Sequence, residues 1–132
     1  MCGTGHKVLI VDDERVIADS LVAIFSANGH EARAAYSAED AIEKMSVWRP
    51  ELAIIDVCLP LMNGIELAVI IQASDPECHC TLFSGQASTW DLLEEARHEG
   101  HDFDILPKPV PPAELLSLAN LLPNLSRNKG NA

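Results

Sequence analysis

Basic residues are scarce in this chain. Nine Lys and Arg stand against twenty Asp and Glu, giving a formal net charge of −11 over 132 residues. A field of that sign disfavours unassisted binding to nucleic acid or an anionic membrane, and it suits cationic partners, divalent metal ions among them. Long hydrophobic runs are missing too. No apolar stretch approaches the roughly 20 residues that span a bilayer, and Met1 to Lys7 lack the apolar segment of a secretory signal. The four cysteines, Cys2, Cys58, Cys78 and Cys80, are not spaced as a disulfide framework. The expectation is a reduced, cytoplasmic setting with no membrane contact and no direct nucleic-acid binding. There is no repeat and no low-complexity segment. No Gly-rich phosphate loop follows the first apolar run, which argues against a flavin or nucleotide binder.

Apolar residues are plentiful by contrast, at 48%, enough for one core without disulfides or a structural metal. Val8-Leu9-Ile10-Val11 is a short, β-branched apolar run ending on Asp12-Asp13-Glu14, and it reads as a strand buried on both faces. Ile17, Leu21, Ile24 and Phe25 then recur at helical spacing up to Asn28-Gly29, a C-cap signal. A weaker strand covers about Glu31 to Ala35. Ser37 opens a helix, with Asp40 three residues on in the manner of a capping box; Ala38, Ala41, Ile42 and Met45 are expected to point inward. Leu52 to Asp56 is a second buried strand, followed by a loop to Gly64 and a helix from about Ile65 to Ala73. Thr81 to Ser84 is the next strand, about Thr89 to Glu99 an acidic helix, and Phe103 to Leu106 the last strand, followed by Pro107-Lys108-Pro109. A final helix starts at Pro111-Pro112, where proline is tolerated. Its inner stripe is Leu115, Leu118, Ala119 and Leu122.

Strand and helix alternate about five times, the pattern of an α/β domain. Right-handed crossovers then favour a single doubly wound, five-stranded parallel sheet with helices on both faces. The flavodoxin-like strand order 2-1-3-4-5 fits this length. Residues 1–6 read as an extension, 7–123 as the domain and 124–132 as a polar tail or linker stub. In such sheets ligands bind beyond the carboxyl ends of the strands. The residues at those ends are Asp12, Asp13, Asp56, Ser84 and Lys108.

Asp12 and Asp13 follow the first strand and Asp56 the third, and these strands are expected to be neighbours. Three carboxylates held together repel, and a hard divalent cation relieves that repulsion. Mg²⁺ (or Mn²⁺) suits a few carboxylates plus water and phosphate oxygens, with the Cys58 backbone carbonyl as a further protein ligand. A carboxylate can also attack phosphorus and form an aspartyl-phosphate. Lys108 supplies a compensating charge and Ser84 a hydroxyl for a phosphoryl oxygen.

The ordered set Val8-Leu9-Ile10-Val11-Asp12-Asp13-Glu14, Asp56 with Leu59-Pro60-Leu61-Met62-Asn63-Gly64, Ser84-Gly85, and Leu106-Pro107-Lys108-Pro109 resembles the response-regulator receiver domains of two-component signalling, over about Lys7 to Leu122. The resemblance implies that Asp56 is the phosphoacceptor and that Asp13, helped by Asp12 and the Cys58 carbonyl, binds Mg²⁺. It further implies that Lys108 pairs with the phosphoryl group, that the Lys108–Pro109 peptide bond is cis, and that Ser84 is the switch hydroxyl. The donor it implies is a phosphohistidine on a sensor histidine kinase or a histidine phosphotransfer protein. It also implies output through the face of the fourth helix, fifth strand and fifth helix, towards an attached output domain, a protein target or a second copy in a homodimer. One departure concerns the switch. Ile105 stands where the family usually has an aromatic residue, while Phe103 lies two positions back on the same side.

Each element has a blander reading. Asp12-Asp13-Glu14 suits any helix N-terminus, Asp56 alone is a turn aspartate, and a lone Ser84 or Lys108 is ordinary. Cys78-His79-Cys80 is not a zinc-ribbon spacing, and no second ligand pair accompanies it. Two other functions compete with this one. A pseudo-receiver that only docks is opposed by the intact acidic set and Lys108. An aspartyl-phosphate phosphotransferase of the haloacid-dehalogenase type needs an aspartate two residues after the nucleophile, where this chain has Cys58. The expectation is a signalling module, not an enzyme with a separate substrate.

Overall fold

The computed structural model describes residues 5–59, 62–84, 94, 104–107 and 112–120. Five strands, β1 (Lys7–Val11), β2 (Glu31–Ala35), β3 (Leu52–Asp56), β4 (His79–Ser84) and β5 (Asp104–Pro107), alternate with α1 (Arg15–Ala27), α2 (Ala38–Met45) and α3 (Gly64–Ser74), and a C-terminal helix covers Pro112–Asn120. The strands form one sheet in the order β2-β1-β3-β4-β5, every pair parallel. This is the expected doubly wound α/β architecture.

The two layers follow from the period of two along each strand. Leu9 and Val11 of β1, Ala53 and Ile55 of β3 and Leu82 of β4 pack with α2 and α3. Val8 and Ile10, Leu52 and Ile54, and Phe83 face the other way, onto α1 and Leu115 of the C-terminal helix. Burying both faces explains why β1 and β3 read as continuous apolar runs. Each fully buried Leu or Ile contributes about 1.5–3 kcal/mol.

Several boundaries and orientations differ from the sequence reading. β4 begins at His79, not Thr81, because Leu52 aligns with His79 and the His79 N–H reaches the Glu51 carbonyl at 3.0 Å. β5 is shifted one residue later than expected, and α3 is one residue longer at each end. Ile42 does not point inward but is 39% exposed. The short α2 seats Ala38 and Ala41 on the sheet, with Met45 packed beside them, and Ile42 lies one helical step off that face. Trp48 is buried. Its Nε1–H donates to Glu31 Oε2 at 2.9 Å and the Arg33 guanidinium lies 4.6 Å above its ring, so the indole is packed and its polar atom satisfied. Leu116 is half-buried against the α1 layer. Cys78 and Cys80 are both buried against the α2–α3 layer. The predicted helix over Thr89 to Glu99 lies outside the described residues, except Glu94, which is helical. Gly85, Gln86, Trp90, Phe103, Leu121 and Leu122 lie outside them as well.

Candidate functional site

Asp12, Asp13 and Asp56 each bring a carboxylate oxygen within 4.8 Å of the others, and among the described residues no other group of three or more potential ligands is gathered this way. The convergence comes from register. Val11 aligns with Ile55 across the β1–β3 pair, so the residues that leave the two strands emerge side by side. The alternation that sends Ile10 and Ile54 towards α1 carries Asp12 and Asp56 to that same side. Asp12 and Asp56 are buried, whereas Asp13 is exposed.

Local hydrogen bonds fix two of the three acids. Asp12 Oδ1 accepts the Glu14 N–H at 2.9 Å, and the Asp12 N–H continues the β1–β2 ladder to the Ala35 carbonyl at 3.1 Å. Glu14 is the N-cap of α1 and makes no side-chain cap, so the carboxylate of Asp12 meets the positive end of that helix. Asp56 Oδ1 accepts the Cys58 N–H at 3.1 Å, an Asx turn that holds the carboxylate over the loop.

The loop after β3 folds back tightly. The Val57 N–H reaches the Phe83 carbonyl at 3.1 Å, and the Gly64 N–H the Val57 carbonyl at 2.9 Å. Asn63 caps α3 in a full capping box, accepting the Glu66 N–H at 2.8 Å while Glu66 Oε1 accepts the Asn63 N–H at 3.0 Å. The sequence reading missed this box, although the Asn-x-x-Glu spacing carried its signal.

A second group, also missed, lies on the rim. Tyr36 follows the last residue of β2, beside Asp12. The Arg15 guanidinium lies 4.1 Å over its ring, and its hydroxyl donates to Asp19 Oδ1 at 2.6 Å. That bond to Asp19 raises the Tyr36 pKa above the usual phenol value, burial adding to it. Asp40 accepts the Tyr36 N–H at 3.2 Å and the Lys44 ammonium at 2.9 Å. Burial works to raise the Asp40 pKa, but Lys44, the Tyr36 N–H and Arg15 together hold it below the ordinary carboxylate value.

Among the other expected site residues, Cys58 is exposed. Ser84 ends β4 with its Cα aligned to Pro107, and Ile105 lies within β5 opposite Leu82. Lys108 lies outside the described residues, as do Pro60, Leu61 and Pro109.

The three carboxylates fit one hard divalent cation, since oxygen donors this close repel each other without one. The model of the response regulator receiver domain matches residues 8–120. The chain belongs to the response-regulator receiver domain family. Its relatives include a response regulator receiver protein of Anaeromyxobacter sp. (strain Fw109-5), 33% identical over 113 residues that cover 86% of this chain and 47% of that one. A CheY-like response regulator receiver domain protein from Methanospirillum hungatei JF-1 has a similar structure, with TM-score 0.79 and 28% identity, covering 96% of this chain and 98% of that one. NtrX from Brucella abortus matches with TM-score 0.82 and 27% identity over 96% of this chain and 29% of its own. The chain spans less than half the length of the curated relatives it matches. Receiver domains are signalling modules rather than substrate-turnover enzymes, and the acid triad is typical of the receiver Mg²⁺ site. No helix among the described residues of this receiver domain is long and apolar enough to cross a membrane.

Proposed function

We propose that this receiver domain accepts a phosphoryl group on Asp56 from a phosphohistidine of a sensor histidine kinase or histidine phosphotransfer protein. The observation that carries the reading is the gathering of Asp12, Asp13 and Asp56 within 4.8 Å at the ends of two adjacent strands. An Asp56 oxygen attacks phosphorus, the P–N bond breaks, and the leaving imidazole takes up a proton. The Cys58 N–H orients the attacking carboxylate from Oδ1. Asp12, Asp13, Asp56 and the Cys58 carbonyl would hold Mg²⁺, which supplies positive charge against the phosphoryl oxygens. Lys108 adds a second cation and Ser84 a hydroxyl. Catalysis of this kind rests on positioning and charge stabilisation.

Phosphorylation biases a two-state equilibrium, and the helix 4–strand 5–helix 5 face passes it to an output domain or protein target. Ile105 in place of an aromatic residue makes the strand-5 part of that switch aliphatic. Treatment with acetyl phosphate and Mg²⁺, followed by intact-mass measurement, is expected to add one acid-labile phosphoryl group to the parent and none to Asp56→Asn. Equal labelling of the two would sink the assignment.

A further inference from the structure

At the opposite end of the sheet from the acids, three turns meet around His30. The β1–β2 ladder starts where Lys7 aligns with Glu31, and the Glu31 N–H reaches the His6 carbonyl at 2.9 Å. One step further back, the His6 N–H donates to His30 Nδ1 at 3.1 Å, so an imidazole takes the place a strand carbonyl would otherwise fill. The segment is pressed close at that point: a Cβ on Gly5 would lie 2.1 Å from the Gly29 carbonyl oxygen. The His6 and His30 rings stack with centroids 5.8 Å apart and planes at 19°, and the Phe25 ring of α1 meets His30 edge-on at 5.7 Å. Glu51, from the turn before β3, accepts the Lys7 N–H at 3.0 Å and lies 3.2 Å from His6 Nδ1.

We propose that His30 is a pH-sensitive latch, which holds the Gly5–Lys7 segment against the α1–β2 turn when neutral and releases it when protonated. An acceptor Nδ1 requires the Nε2–H tautomer. Protonation puts a second N–H against the His6 N–H and breaks the bond. It also places positive charge in a nearly buried ring, face to face with another histidine. The titratable groups facing His30 are His6 from the N-terminal segment and Glu51 from the turn before β3. Burial and His6 lower the His30 pKa, and Glu51 opposes them. With the folded pKa below the ordinary value of 6.5, the latch contributes its full stabilisation above that value. The contribution is lost as pH falls through the lowered folded pKa. None of this depends on chemistry at Asp56.

NMR on the full chain tests it, with imidazole ¹⁵N shifts giving tautomer and titration, and amide hydrogen exchange giving protection. His30 is expected to be the Nε2–H tautomer at neutral pH and to titrate below the ordinary imidazole value of 6.5. Between about pH 7 and pH 5 the His6 amide, corrected for its intrinsic rate, should lose about tenfold in protection while Ile10 keeps its own. In His30→Asn the side-chain oxygen keeps an acceptor near the Nδ1 position and does not titrate, so that loss should vanish. An Nδ1–H tautomer, titration at or above the ordinary value, or the same loss in His30→Asn overturns the latch. Tautomer and titration in the parent decide the matter even if the variant folds poorly.

Discussion

Gly64 is packed against the backbone of Asp56: a Cβ at this position would lie 2.2 Å from the Asp56 carbonyl oxygen and 2.9 Å from Ile55 Cγ2. Neither the end of a central strand nor the first residue of a capped helix can yield cheaply. Gly64→Ala should therefore lower unfolding stability by about 1–3 kcal/mol, measured by urea denaturation. The same shift moves the Asp56 carboxylate, so phosphoryl uptake from acetyl phosphate should slow about tenfold or more. Unchanged uptake in a folded variant would show that this contact does not position Asp56.

The acid cluster predicts opposite effects with and without metal. Asp13 is the exposed member, and its charge opposes those of Asp12 and Asp56 within 4.8 Å. Asp13→Asn removes that repulsion without removing the side chain. In metal-free buffer of low ionic strength it should stabilise the fold by about 1–3 kcal/mol. It should also weaken Mg²⁺ binding about tenfold or more, roughly 1.4 kcal/mol. Thermal unfolding with and without Mg²⁺ checks both signs, and a variant that gains as much from Mg²⁺ as the parent contradicts the assignment.

Tyr36 is the one tyrosine in the chain, so phenolate absorbance reports it alone. Its hydroxyl donates to Asp19, which stabilises the protonated form and raises its pKa. Asp19→Asn keeps a hydrogen-bond partner and removes the charge. The titration should move to lower pH, towards the ordinary phenol value. Arg15→Ala should move it the other way, since the guanidinium over the ring favours the phenolate.

Thr81 is fully buried in β4, and its hydroxyl has no hydrogen-bond partner among the described residues. Thr81→Val replaces a buried, unsatisfied oxygen with a methyl group of similar shape. Stability should rise by about 1 kcal/mol in urea denaturation. A loss of that size would mean that the hydroxyl is satisfied in solution.

The amino-acid sequence by itself determined the architecture and the chemistry at its rim. Short apolar runs ending in Asp12, Asp56 and Ser84 dictate buried parallel strands, and parallel strands bring their carboxyl ends to one edge. These signals are local: a period of two or 3.6, a cap, a proline. Hence β3 was legible to the residue, β1 and β2 closely, and the convergence of the three acids with them. Packing decided the rest, because the rotation of a helix and the meeting of distant turns leave no periodic trace. Only the fold could turn Ile42 outward while seating Ala38 and Ala41, separate exposed Asp13 from buried Asp12 and Asp56, and lay Arg15 over Tyr36. Only the fold could bring His6 to His30, 24 residues along the chain, in a contact that depends on two turns stacking at the far end of the sheet.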